Sequence, residues 1–186
     1  PVAWGGSGGT PASVIAAIAA QRDFWIGNLH SRGRVNPRTY AADSTLRALI
    51  DVVPFGVPDQ PFEAAARALP PVLKGVRPGI AETDTVLLWG GSLLDWQDPV
   101  TLIEAIALLA PARPDVKLVF MGTKHPNPLV APMRVVEESR SRAEALGLLD
   151  RHVFFNDWVA YTERARYLFE ADLGVSTHRE HLETHF

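Results

Sequence analysis

The sequence predicts an α/β domain built on a doubly wound parallel sheet with right-handed crossovers, incomplete at both ends. Three observations carry that expectation. Short runs with little polar alternation occur at Val86–Gly90, Val116–Met121, His152–Phe155 and Leu173–Ser176. Helically patterned segments of about ten residues or more separate them. Each run then gives way to glycine or polar residues, as strands do when they leave a sheet covered on both faces.

Before this regular region the pattern is weaker. Pro1–Pro11 is a Gly-rich lead without apolar periodicity. Val14–Ile18 fits either a short buried strand or the start of a helix continuing through Gln21–Leu29, since periodicity does not separate the two. Arg38–Leu49 reads as helical and Ile50–Val53 as a short β-branched run stopped by Pro54, Gly56 and Pro58. Prolines then mark a connecting region, with a helical turn or two around Phe62–Leu69. From Val86 onward, Asp98-Pro99 supplies an N-cap and a first-turn proline. Leu102, Ile103, Ile106 and Leu109 form the buried stripe of the helix that follows, which Pro111 and Pro114 end. Leu129–Leu149 is the second helical stretch of this region, and Thr162–Ala171, capped by Thr162, is the third.

Composition narrows the function classes. Of 186 residues, 47% are hydrophobic and 21% charged, the balance of a folded, soluble protein. Eighteen Lys and Arg stand against twenty-one Asp and Glu, for a net charge of −3. No basic block follows a nucleic-acid backbone. No cysteine is present, which excludes disulfides, thiolate zinc sites and a thiol nucleophile. No apolar run approaches the ~20 residues of a membrane span, so no transmembrane segment is expected. The chain opens on Pro and stops inside a motif, and so reads as a piece of a longer protein.

Ligands of such a sheet bind beyond the carboxyl ends of its strands. The residues to read are therefore Gly90-Gly91-Ser92, Gly122–His125, Asn156–Trp158 and Thr177–His185. Gly91 and Ser92 let backbone approach a phosphate, with the next helix offering its N-terminal N–H groups. A tight turn alone would equally call for glycine. The spacing matches neither a Walker loop nor GxGxxG, and no G-x-S-x-G elbow occurs. His178, His181 and His185, with Glu180 and Glu183 between them, have ligand chemistry suited to zinc, but H-R-E-H is not HExxH. A polar loop at the cleft mouth is the favoured reading, and no metal is assigned.

In order, Asp51–Val57 (DVVPFGV), Val86–Gly91 (VLLWGG), Val116–Gly122, Val153–Val159, Ala171–Ser176 (ADLGVS) and Glu183 resemble glycosyltransferases of the GT-B fold, especially glycosyltransferase family 4. The similarity covers roughly Gln21 to Phe186. The resemblance implies a Rossmann-like half of a GT-B fold. Residues 1–53 would be lead and remnant of the N-terminal domain, 54–85 the interdomain connection, and 86–186 the truncated nucleotide-sugar-binding domain. It implies a retaining transferase of polysaccharide biosynthesis, moving sugar from a nucleotide-diphosphate donor to an unspecified acceptor. It implies no cofactor and no metal, with the helix dipole and cationic side chains meeting the diphosphate. Residue by residue, Gly90 and Gly91 match the diphosphate turn, Ser92 follows it, and Gly122 ends the next strand with Lys124 beyond. Asn156, Trp158 and Val159 lie in the loop under the base, and Glu183 matches the first of two paired glutamates. Ser92 and Gln97 stand where many members carry Arg and Lys. The parent is expected in the cytoplasm or peripherally on the inner membrane. The fragment alone is expected to be inactive and to self-associate through exposed truncated edges. The alternative is a non-catalytic nucleotide-binding or assembly module on the same scaffold.

Overall fold

In the computed structural model, which describes residues 13–56 and 69–180, the chain forms two units, one within 1–59 and the other within 60–184. In the first, strand β1 (Val14–Ala16) pairs in parallel with β2 (Ile50–Val52). Helices α1 (Ala19–Ser31) and α2 (Pro37–Ala42) run between them. The open choice at Val14–Ile18 thus resolves as a strand followed at once by a helix. Ala16, Leu29, Leu49 and Ile50 make a small core.

The helix expected from Arg38 to Leu49 is short, for local reasons. It begins well: the Asn36 side chain accepts from the N–H groups of Arg38 and Thr39, the Thr39 hydroxyl accepts from the Asn36 N–H, and Pro37 opens the first turn. It then stops at Ala42. The Asp43 carboxylate accepts from the Thr45 and Ala48 N–H groups and from the Thr45 hydroxyl. Such side-chain bonds offer the backbone an alternative to the helix.

The second unit holds a four-stranded, all-parallel sheet of β3 (Thr85–Ser92), β4 (Val116–Gly122), β5 (Val153–Phe155) and β6 (Leu173–Gly174). Its order is β5-β4-β3-β6. The chain moves outward from β3 to β5 and returns to the other side of β3, the winding of a Rossmann-like sheet. Helices α3 (Pro99–Leu109), α4 (Arg134–Ala145) and α5 (Arg164–Glu170) connect the strands, with a 3₁₀ turn at Tyr161–Glu163.

Alternation along the strands explains their continuous apolar character. Leu118, Phe120, Val153 and Phe155 face α3 and α4, meeting Ile103, Ile106, Val135 and Ala143. Val86, Leu88, Val119 and Phe154 face the opposite layer, where Leu73 and Ile80 are buried and Tyr167 of α5 packs. Leu73 and Ile80 come from the stretch that reads in sequence as connection, so the sheet unit draws its core from before Val86.

Two helix starts differ from expectation. α4 begins at Arg134, not Leu129, because Pro126, Pro128 and Pro132 hold the preceding residues out of the helical region. Thr162 lies inside the 3₁₀ turn and caps nothing; α5 has no side-chain cap. Among the described residues no helix is long and apolar enough to cross a membrane.

Candidate functional site

Parallel strands deliver their last residues to one edge, so the loops after them converge. At that edge β3 carries an extra residue. Trp89 opposes Phe120 while Ser92 opposes Gly122, which places a bulge at Gly90–Gly91. A Cβ on Gly91 would meet nothing within 4 Å. At Gly90 it would lie 3.6 Å from Leu168, and at Gly122 3.8 Å from the Gly91 carbonyl, both ordinary contacts. None of the three has a positive φ. Neither a positive φ nor packing demands these glycines; Gly91 is exposed, Gly90 half-buried and Gly122 buried at the end of β4, and open space lies beside them.

That space is a cavity of ≈ 210 Å³. Gly90, Gly91, Ser92, Gly122, Trp158 and Val159 border it, all singled out in the sequence. Met121, Tyr161 and Arg164 complete it. A second cavity of ≈ 280 Å³ adjoins, sharing Ser92 and Gly122 and taking Lys124, His125, Leu93 and Met133 into its walls. Lys124 therefore lines the neighbouring cavity and not the one bordered by Trp158.

The loops after β4 and β5 are tied into one piece. The Thr123 N–H donates to the carbonyls of Asn156 (2.9 Å) and Asp157 (3.0 Å), its hydroxyl donates to Asn156 (2.7 Å), and the Lys124 N–H donates to Asp157 (2.6 Å). The His125 and Trp158 rings lie 5.8 Å apart above this junction. Trp158 is held there while remaining 48% exposed. Asn156 borders neither cavity. Its side-chain oxygen accepts from Arg77, which also donates to the Phe155 carbonyl, and its Nδ2 is buried without a partner. Burial pulls the Arg77 pKa down from its ordinary value, against the opposing pull of Asp150.

The helix after β3 does not offer the anion site expected of it. Pro99 has no N–H, and the Asp98 carboxylate already accepts from the Thr101 N–H and hydroxyl. Gln97 is likewise committed, its side chain accepting from the Leu94 N–H at 2.7 Å. The loops after β3 and β6, which flank the reversal of strand order, are joined: the Asp98 N–H donates to the Thr177 carbonyl, and the Thr177 hydroxyl to the Asp98 carbonyl. His178 sits beside them, 2.7 Å from the Ser176 hydroxyl. Among the described residues no group of His, Asp and Glu could hold a metal ion. His181, Glu183 and His185 lie outside the described residues.

Arg164 is the site residue that reading the sequence missed. The resemblance points to a cation directly after β3, whereas this guanidinium arrives from the start of α5. It lies over the Tyr161 ring, 5.4 Å from the centroid, and its Nε is buried without a hydrogen-bond partner. One signal pointed to it. A cation in the first turn of a helix opposes the macrodipole, which calls for another reason to be there. Compared with protein-family models, curated proteins and solved structures, the chain finds no match.

Proposed function

We propose that the second unit binds the nucleotide-diphosphate sugar of a retaining, GT-B-type glycosyltransferase. The observation that carries this reading is the meeting of Gly90, Gly91, Gly122 and Trp158 around one cavity at the carboxyl edge of the sheet. The glycines place no side chain between a phosphate and the main chain, and Trp158 offers a half-exposed aromatic face to a planar base. Glu183, the residue assigned to the donor's hydroxyls by resemblance, completes the reading chemically, since one carboxylate accepts from two vicinal hydroxyls.

Transfer requires an acceptor held against the donor, and such orientation contributes ~7–11 kcal/mol of barrier lowering. In this reading the acceptor side is supplied elsewhere, and the 186-residue chain binds donor without transferring sugar. The second reading, a non-catalytic binding module, is favoured by one feature. Residues 92–98 (SLLDWQD) hold two aspartates and no cation.

The test is calorimetry of the chain with UDP, GDP and ADP and their sugars, alongside a transfer assay. Binding of at least one diphosphate, weakened in Trp158→Ala, supports the donor site. Absence of binding at millimolar concentration overturns it. Turnover by the chain alone would show that the acceptor side is present within it.

A further inference from the structure

We propose that Arg164 is the phosphate-holding cation of the glycine cavity, in place of the Arg and Lys that the resemblance leads one to expect after β3; this rests on the donor-site reading above. Four observations converge on it. Arg164 is the only Lys or Arg bordering that cavity among the described residues, Lys124 belonging to the neighbouring one. Leu168, one turn further along α5, comes within 3.6 Å of where a Gly90 Cβ would stand. Residues four apart share a helix face, so the Arg164 side chain starts from the face of α5 turned toward the glycine bulge.

The nearest acid is also spoken for. Glu163 gives its carboxylate to Arg166 at 2.5 Å, and among the described residues no carboxylate pairs with Arg164. Its Nε accordingly stays buried and without an acceptor. A guanidinium is always charged and presents a planar donor fork that matches two phosphate oxygens. The guanidinium carbon lies 5.4 Å from the centroid of the exposed Tyr161 ring, a contact that takes none of its N–H groups. The bulge supplies open backbone and Arg164 supplies charge.

The experiment is calorimetry of the whole chain and of Arg164→Gln and Arg164→Lys, each with UDP and uridine, GDP and guanosine, and ADP and adenosine. Thermal melts confirm that the variants fold. Losing a charge-assisted phosphate contact should weaken diphosphate binding about tenfold or more in Arg164→Gln. Nucleoside binding should stay within about twofold, and Arg164→Lys should recover part of the diphosphate affinity. Equal losses for nucleoside and diphosphate, or no loss in either variant, would overturn the proposal and leave the donor site standing. Failure of the unmodified chain to bind any of the three diphosphates would instead overturn the donor-site reading, and this assignment with it.

Discussion

The two ends of the four-stranded sheet treat their polar groups in opposite ways. At the amino end nearly every one is committed to the protein. Lys117, buried on β4, lies 3.8 Å from buried Asp84 and donates to the Pro114 and Arg151 carbonyls. Glu170 accepts from the N–H groups of Val72, Leu73 and Lys74, and Asp172 accepts from the Val86 N–H and the Lys74 ammonium. At the carboxyl end Thr123, Gln97 and Thr177 are bonded within the loops, but Arg164 Nε and Asn156 Nδ2 are buried without a partner, Gly91 is exposed and Trp158 stands half in solvent. One end commits its polar chemistry to holding the strands together; the other leaves Arg164 Nε, beside the glycine cavity, without a partner.

The largest expected effect lies at the committed end. Lys117→Ala removes one partner of a buried pair and leaves the Asp84 carboxylate with the Ala81 N–H but no cation, a change that costs about 3–5 kcal/mol. Urea denaturation of the two chains should show the loss as a lower midpoint with an unchanged slope. A loss under about 1 kcal/mol would mean that water or relaxation already solvates Asp84, and the contrast between the two ends would fade.

Glycines sharpen the same comparison, because one of them is structural. Gly79 has φ +88°, and a Cβ there would stand 2.8 Å from the Asp150 carbonyl and 3.1 Å from the Phe154 ring. Gly79→Ala should therefore destabilise by at least about 2 kcal/mol. Gly91→Ala should change stability by no more than about 0.5 kcal/mol, since its Cβ meets nothing within 4 Å. Gly91 borders the cavity, so on the donor-site reading diphosphate affinity should fall about tenfold. Denaturation and calorimetry on the two variants should give opposite patterns. A large stability loss in Gly91→Ala would make that glycine part of the scaffold.

The parts of this arrangement that the sequence reveals are the local ones. Strand positions show because Val86–Trp89 and Val116–Met121 are apolar on both faces, and Gly90, Gly91, Gly122 and Trp158 follow as residues just past strand ends. Helix limits at Ala42 and Arg134 are hidden by short-range competition, from the Asp43 carboxylate in one case and from three prolines in the other. The reach of Arg164 to the bulge is hidden for a different reason. It depends on β6 returning beside β3, which brings α5 back over Gly90, and no local pattern encodes strand order. The same limit applies to Lys124 and Asn156. Both follow the correct strand, but the first lines the adjoining cavity and the second turns to Arg77.

The smallest effect is electrostatic and belongs to the amino end. The Arg113 guanidinium hydrogen-bonds Asp115 and holds its carboxyl down to about 2. At Asp172, burial pushes the carboxyl up, but hydrogen bonds from the Lys74 ammonium and the Val86 N–H outweigh it and leave the pKa lowered. Both folded values lie below the unfolded ones. These groups therefore add stability that is complete above the ordinary carboxylate range and is lost as pH falls through the folded values. For Asp115 that window runs from about pH 4 to about pH 2. The Asp115 side chain is partly exposed, so salt screens much of the effect. Denaturation midpoints followed from pH 6 to pH 2 should fall less steeply in Asp115→Asn than in the unmodified chain, and the difference should shrink in 1 M salt. Gly91→Ala, at the other edge, should leave the acid profile unchanged while still weakening diphosphate binding at neutral pH. If instead Gly91→Ala altered the acid limb and Asp115→Asn did not, the assignment of stability to one end and ligand to the other would be reversed.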